Sequence, residues 1–489
     1  MIRRPFAGRL AFALFAGLLA LPAGAAERVS IDWDAGKAQA SSVQFAVPQA
    51  VSYSARTHGT WTQDGDAAVW TLDVEIPGAV TSSFAARDVV LPEGATLSIA
   101  GAEGKAITMD AKWIVDGRLW SELVDGDRFT LVARMPRSTA DDFALTVFEV
   151  QGGFRNPMAK AAGDVVNYAC KANASNRLNA RSTGALLINN STSCTGTLMN
   201  NAAGDYRKFF LTASHCAGAT DLASNDYAGK APGFKVYFNE ETPCGQTLGS
   251  ARTTTPTVGA VHRVRVNDHW LVELTGTLPA GVYFSGFDAS GTTPTALYAI
   301  HHASAKDRQW LESSSPLRGT IGFGGEMMTF WSDAYDDGVS GPGGSGGAVV
   351  SSQRLVGVIS TGGGTNYQAN ALDSVYNAGL NTYLGNVTTL AGAEPPAPPT
   401  VTLGANPTTV AWNGSTALSW TTTNATSCTA SDAWSGAKAT SGSENDVPGN
   451  ASTTSSRTAT YTLTCTGPGG EAFDSVSVTV TAKPAPPTV

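Results

Sequence analysis

Charge is scarce in this sequence. Asp, Glu, Lys and Arg make up 15% of its 489 residues, the net charge is −8, and no basic run occurs anywhere. That argues against a nucleic-acid partner, because phosphate binding requires clustered Lys and Arg. Cysteine is scarce as well: six residues in so long a chain cannot build a dense disulfide scaffold, although an even number suits a few structural bridges in an exported protein. Histidine is limited to His58, His215, His262, His269, His301 and His302. Beyond the N-terminus no apolar run approaches the ~20 residues needed to cross a bilayer. Glycine (53) and proline (24) are plentiful and hydrophobic residues reach 42%, the composition of a turn-rich globular β protein. At the usual ~100 to 200 residues per domain, the chain should hold two to four domains.

Residues 1–26 place Arg3, Arg4 and Arg9 before an apolar run and end in Ala23-Gly24-Ala25-Ala26. This is the layout of a cleaved signal peptide. Secretion follows as the expectation, through the periplasm of a Gram-negative bacterium to the extracellular space. Residues 27–160 contain no cysteine and alternate apolar with polar residues, as in Trp70-Thr71-Leu72-Asp73-Val74, so a β-rich leading domain is predicted. Residues 161–390 carry four cysteines and five histidines, and the chemistry is expected there. A Pro-rich linker, 391–399, leads to a Thr/Ser-rich module at 400–483 with Trp412, Trp420, Cys428 and Cys465, placed as in a small immunoglobulin-like β-sandwich. The tail, 484–489, includes Ala485-Pro486-Pro487-Thr488-Val489, which repeats Ala397-Pro398-Pro399-Thr400-Val401.

Gly343-Gly344-Ser345-Gly346-Gly347 fits the G-x-S-x-G elbow of α/β-hydrolases, but those enzymes place their histidine after the serine. Here every histidine precedes it, so that reading fails. An upstream base remains, and Phe209-Phe210-Leu211-Thr212-Ala213-Ser214-His215-Cys216 supplies one at the end of an apolar strand. The order His215 then Ser345 is that of two-barrel serine proteases.

With these residues the chain resembles the trypsin-like family, and more closely its bacterial lysyl endopeptidase branch. The matching segments are Ser193–Leu198, Leu211–Cys216, Asn267–Leu274, Ala299–His302, Gly341–Gly347 and Leu355–Ser360. The resemblance implies an all-β fold: two antiparallel β-barrels, a β-rich propeptide before them, and the immunoglobulin-like sandwich after. It implies Ser345 as nucleophile, His215 as base, Asp268 as its orienting carboxylate, and the backbone NH groups of Gly343 and Ser345 as the oxyanion hole. It pairs Cys194 with Cys216 and Cys170 with Cys244, leaving Cys428 with Cys465 for the sandwich. Ser360 aligns with a residue that touches the catalytic aspartate, Gly362 with one that binds substrate backbone, and Phe323 with a tryptophan packed near the histidine.

The expected activity is that of a secreted serine endopeptidase made as a zymogen and cutting after Lys or Arg. The acidic residue six before the serine in common trypsins is Val339 here, so Asp373 is the expected cation-binding residue; an aspartate opening a terminal helix is the competing reading of that position. Cleavage after Lys160 is expected to release the propeptide. The expected partners are protein or peptide substrates, together with cell-surface or carbohydrate contacts through the last module, and the chain is expected to be a monomer. No cofactor or metal site is expected, since no ligand spacing fits zinc. A catalytically inactive surface or adhesion protein and a serine esterase on the same triad are the alternatives.

Overall fold

The computed structural model describes residues 26–102, 106–156, 165–218, 221–249, 254–334, 336–363, 366–449 and 455–484. Residues 1–25 of the expected signal peptide, Lys160, and residues 485–489 of the tail lie outside them. The chain divides into two compact units, one of Met1–Trp33 with Pro48–Phe154, the other of Asp34–Val47 with Arg155–Val489.

In the first unit the alternation read from the sequence becomes two six-stranded sheets among the described residues. Ala67–Glu75 and Arg128–Pro136 pair antiparallel, turning Trp70, Leu72, Val74, Phe129 and Leu131 inward. Thr81–Val90 and Ala144–Gly153 centre the other sheet. Phe84 of the second sheet stacks on Phe129 of the first, with ring centroids 5.8 Å apart, so apolar burial is what joins the two faces.

The second unit opens with a sheet of order Thr257–Val258, Phe234–Phe238, Thr183–Ile188, Thr192–Leu198, Phe209–Ala213, His269–Leu274 and Ala260–Val266. Its two outermost strands are separated by Gly259 alone, at φ 83°. The Gly259 N–H reaches Phe234 O and its carbonyl accepts from Thr275, so the sheet curls until its ends meet. Phe210, Val236, Phe238 and Trp270 fill the interior. A ten-stranded sheet follows, running Val166–Asn167, Gln309–Ser313, Leu297–His301, Ala348–Ser351, Arg354–Gly363, Asn366–Ala371, Glu326–Ala334 and Leu317–Phe323, with Gly286–Asp288 and Thr389–Leu390 attached.

The boundary expected at residue 160 is more intricate in the structure. Residues 34–47 belong with the second unit: Gln44 bridges Thr192, Ser193 N donates to Val43 O at 3.0 Å, and Val43 packs with Leu186 and Cys194. The Arg155 guanidinium ties the carbonyls of Ser42 and Gln44. Periodicity could not reveal this, because a single short bridge carries no repeating pattern.

Residues 400–480 form a three-stranded and a five-stranded sheet around Trp420, Trp434 and Tyr461. Cys428 and Cys465 are direct cross-strand partners within the five-stranded sheet. Their bridge therefore staples neighbouring strands, not the two layers. The linker is held too, Glu394 pairing with Arg181 at 2.7 Å. Cys170–Cys244 and Cys194–Cys216 complete the disulfides. The second closes 22 residues around the strand leading to His215, and removing it in Cys194→Ala/Cys216→Ala is expected to lower unfolding free energy by about 3 kcal/mol. Urea denaturation followed by tryptophan fluorescence checks this, and an unchanged midpoint would remove the bridge's role.

Candidate active site

The buried strand Phe209–Ala213 runs into a single 3-10 turn, Ser214–Ala217, that carries His215. The turn is closed by Gly218 at φ 102°, whose N–H donates to the His215 carbonyl; that backbone shape favours glycine. Asp268 lies in the two-residue connection between Ala260–Val266 and His269–Leu274, strands that pair antiparallel beside Phe209–Ala213. Hydrogen-bonded pairing of neighbours in one sheet thus brings together residues 53 apart in sequence.

Asp268 is fully buried yet well supplied with donors. His215 Nδ1 is 2.8 Å from Oδ2 and 3.1 Å from Oδ1. The His215 backbone N–H donates to Oδ1 at 2.8 Å, Ser214 Oγ donates at 3.0 Å, and Ser360 Oγ donates to Oδ2. Burial by itself would raise the carboxyl pKa, but the facing His215 and the hydrogen bonds from His215 and Ser360 outweigh it and hold it below the usual carboxylate range. On the far side of the imidazole, His215 Nε2 lies 2.8 Å from Ser345 Oγ. An edge-on Phe323 ring, 5.4 Å from the imidazole, covers it.

Ser345 sits in a turn whose other amides are engaged: Gly344 N–H donates to Gly341 O, Gly346 N–H to Ile359 O, and Gly347 N–H to Gly344 O. Among the described residues no acceptor engages the N–H groups of Gly343 and Ser345. Gly343 is at φ 95°. Thr195 anchors the turn from the other sheet, its Oγ1 donating to Gly343 O at 2.8 Å and its N–H to Ser345 O at 2.8 Å. Sequence reasoning gave Thr195 no role, although it lies in a segment singled out for its resemblance.

The structure gathers His215, Asp268, Ser345, Gly343 and Ser360 into one cluster, and Gly362, exposed at φ 105°, continues the strand beyond Ser360. Asp373 departs from its expected role. It opens the helical segment Asp373–Val375, and its carboxylate is paired with the Arg318 guanidinium at 2.6 and 3.2 Å, which itself stacks over Trp331. A carboxylate neutralised in this way offers no free charge to a cationic substrate, so the helix-start reading is the one the structure favours.

Three other imidazoles are fully buried. His302 Nδ1 is 2.8 Å from Lys306 O, and Ala303 N–H reaches His301 Nδ1. Both ring nitrogens of His269 are buried without hydrogen-bond partners among the described residues. Burial pushes the pKa of His269 down to about 4 and those of His301 and His302 to about 3.

The unfolded chain protonates these imidazoles below about pH 6.5 while the folded chain does not. Their stabilising contribution is therefore complete above that pH and is lost as pH falls toward 4. Each group contributes a slope of up to about 1.4 kcal/mol per pH unit, so the three together reach about 4. Urea unfolding at pH 7, 6, 5 and 4.5 should show that steep loss, and a flat profile would contradict neutral burial.

The family model for the lysyl endopeptidase C-terminal domain matches residues 161–377. A lysyl endopeptidase from Pseudomonas aeruginosa is 28% identical over 278 residues, 51% of this chain and 58% of that protein; the chain thus spans little more than half the length of this curated relative. Among solved structures, the active form of the Rv3671c protease from M. tuberculosis is 13% identical, with a TM-score of 0.30, over 48% of this chain and 94% of the other. The Vibrio cholerae VesB protease is 13% identical, with a TM-score of 0.26, over 65% and 99%. In its sequence match, the segment 161–377 is lysyl endopeptidase-like.

Proposed function

We propose that this protein is a secreted serine endopeptidase working through Ser345, His215 and Asp268. The carrying observation is the continuous path from the buried Asp268 carboxylate through the imidazole to the Ser345 hydroxyl, 2.8 Å at each step. In the proposed reaction Ser345 Oγ bonds to the substrate carbonyl carbon as its proton passes to His215 Nε2. The carbonyl oxygen takes up the displaced electron pair, facing the N–H groups of Gly343 and Ser345. Collapse breaks the C–N bond, and His215 returns the proton to the departing amine. Water repeats the sequence on the acyl-enzyme, releasing the acid. Asp268 keeps Nδ1 protonated and balances the transient imidazolium.

Support for secretion comes from the leader-like residues 1–26 and from the three disulfides. Among the described residues no helix is long and apolar enough to cross a membrane. The immunoglobulin-like module is proposed as a surface-contact appendage. A fluorophosphonate probe should label Ser345 in the secreted protein, and Ser345→Ala should abolish both labelling and peptide hydrolysis. Asp268→Asn should lower kcat about 10³- to 10⁴-fold by disfavouring the useful tautomer. A secreted protein that the probe leaves unlabelled would sink the reading.

The leading residues 27–160 are proposed to be removed as a zymogen segment after Lys160. With Asp373 neutralised by Arg318, that cut is assigned to a separate lysine-directed peptidase. N-terminal sequencing should then find Ala161 first in both the wild type and Ser345→Ala. Retention of the leading segment by Ser345→Ala alone would show self-processing instead.

A further inference from the structure

The strand Leu297–His301 pairs with Ala348–Ser351, so the turn that follows it, His302 to Lys306, is delivered beside the segment carrying Ser345. That turn has an uncommon backbone. Ser304 (φ 55°, ψ 32°) and Ala305 (φ 48°) stand next to each other in the left-handed region, which a residue with a Cβ adopts only at a cost. Two such residues in succession persist only where their surroundings hold them, and strain of this kind collects at functional sites.

The imidazole of His302 closes the turn. It is fully buried, and its Nδ1 lies 2.8 Å from the Lys306 carbonyl oxygen. A carbonyl can only accept, so Nδ1 carries the proton and donates it, while Nε2 has no hydrogen-bond partner among the described residues. This bond runs from the first residue of the turn to the last and spans both left-handed positions. The backbone bonds inside the turn are longer: Ala305 N–H reaches His302 O at 3.1 Å and Lys306 N–H reaches Ala303 O at 3.3 Å.

Toward the nucleophile the turn presents one N–H. Ser304 N–H donates to the Pro342 carbonyl at 2.7 Å, and the trans peptide places the Gly343 N–H on the side opposite that carbonyl. On the next peptide the Gly343 carbonyl accepts from Thr195 Oγ1, which itself accepts from the His302 N–H at 2.9 Å. The peptides on either side of Gly343 are thus both tied back to His302 or its turn. The fit leaves no slack, since a Cβ on Gly343 would lie 3.0 Å from Ser304 N and 3.2 Å from His302 O. We infer that His302 is a positioning residue for the reaction: by donating from Nδ1 to Lys306 O, its imidazole keeps the strained turn whose Ser304 N–H aims the Gly343 N–H at the developing oxyanion.

The inference rests on the endopeptidase reading, and one experiment separates the two. Secreted wild type, His302→Phe, His302→Gln and His302→Asn are counted by end-point fluorophosphonate titration and assayed on a peptide anilide that the wild type cleaves. The Ki of the corresponding peptide aldehyde, whose adduct with Ser345 places an oxygen at the oxyanion position, is measured beside KM. Asn sets an amide N–H where Nδ1 stands, the Gln amide reaches the place of Nε2, and Phe has no donor. The Phe and Gln variants should lose about tenfold or more in kcat and in aldehyde affinity with KM nearly unchanged, a part of the about 10²- to 10³-fold that follows loss of a whole oxyanion donor. His302→Asn should keep most of the wild-type kcat. The Gln and Asn variants, which differ by one methylene, decide the matter even if the Phe variant does not fold. A Gln variant with wild-type kcat, an Asn variant that loses as much as Gln, or a loss confined to KM overturns the inference and leaves the endopeptidase reading standing. A wild type that neither labels nor cleaves overturns both.

Discussion

A carboxylate with no access to water is the constraint around which this site is arranged. Asp268 is fully buried, and an ion in such surroundings is tolerable only if hydrogen bonds replace its lost hydration. Its donors come from both sheets of the second unit: Ser214 and His215 follow a strand of the curled sheet, and Ser360 sits on a strand of the ten-stranded one. Moving either sheet would strip the anion of part of its support. The same contacts that stabilise Asp268 therefore fix the imidazole relative to Ser345, so stability and catalytic geometry have a common cause.

The nucleophile turn is tied across the same boundary. Thr195 holds the carbonyls of Gly343 and Ser345, and its own Oγ1 receives the His302 N–H at 2.9 Å. Thr212 Oγ1 donates to the Thr195 carbonyl, on the strand that delivers His215. Rigid backbone contacts suit a turn whose free amides must point at one place, because donors fixed in advance need no reorganisation when negative charge develops.

What the sequence made legible was chemistry with a local signature. The β alternation, the apolar strand ending at His215 and the glycines around Ser345 each follow from period or residue type, and chain order excluded the hydrolase elbow. What it hid depended on long-range partners. Asp373 reads equally as a binding carboxylate or a helix start until Arg318, 55 residues away, is known to pair with it. The burial of His269 shows the same limit, because polarity alone does not reveal which face of a strand is covered.

The position before the nucleophile shows how the site is held without a charged latch. Trypsin-like enzymes that mature through a new N-terminus use an aspartate there, and this chain has Gly344. A Cβ on Gly344 would lie 2.1 Å from Ser340 Oγ and 3.2 Å from His301 Nδ1, so the neutral Ser340–His301 pair occupies the space a side chain would need. The turn is instead set by its own backbone hydrogen bonds and by Thr195, all of which are present while residues 27–160 are still attached. Release of the leading segment is therefore not needed to form the turn that carries Ser345.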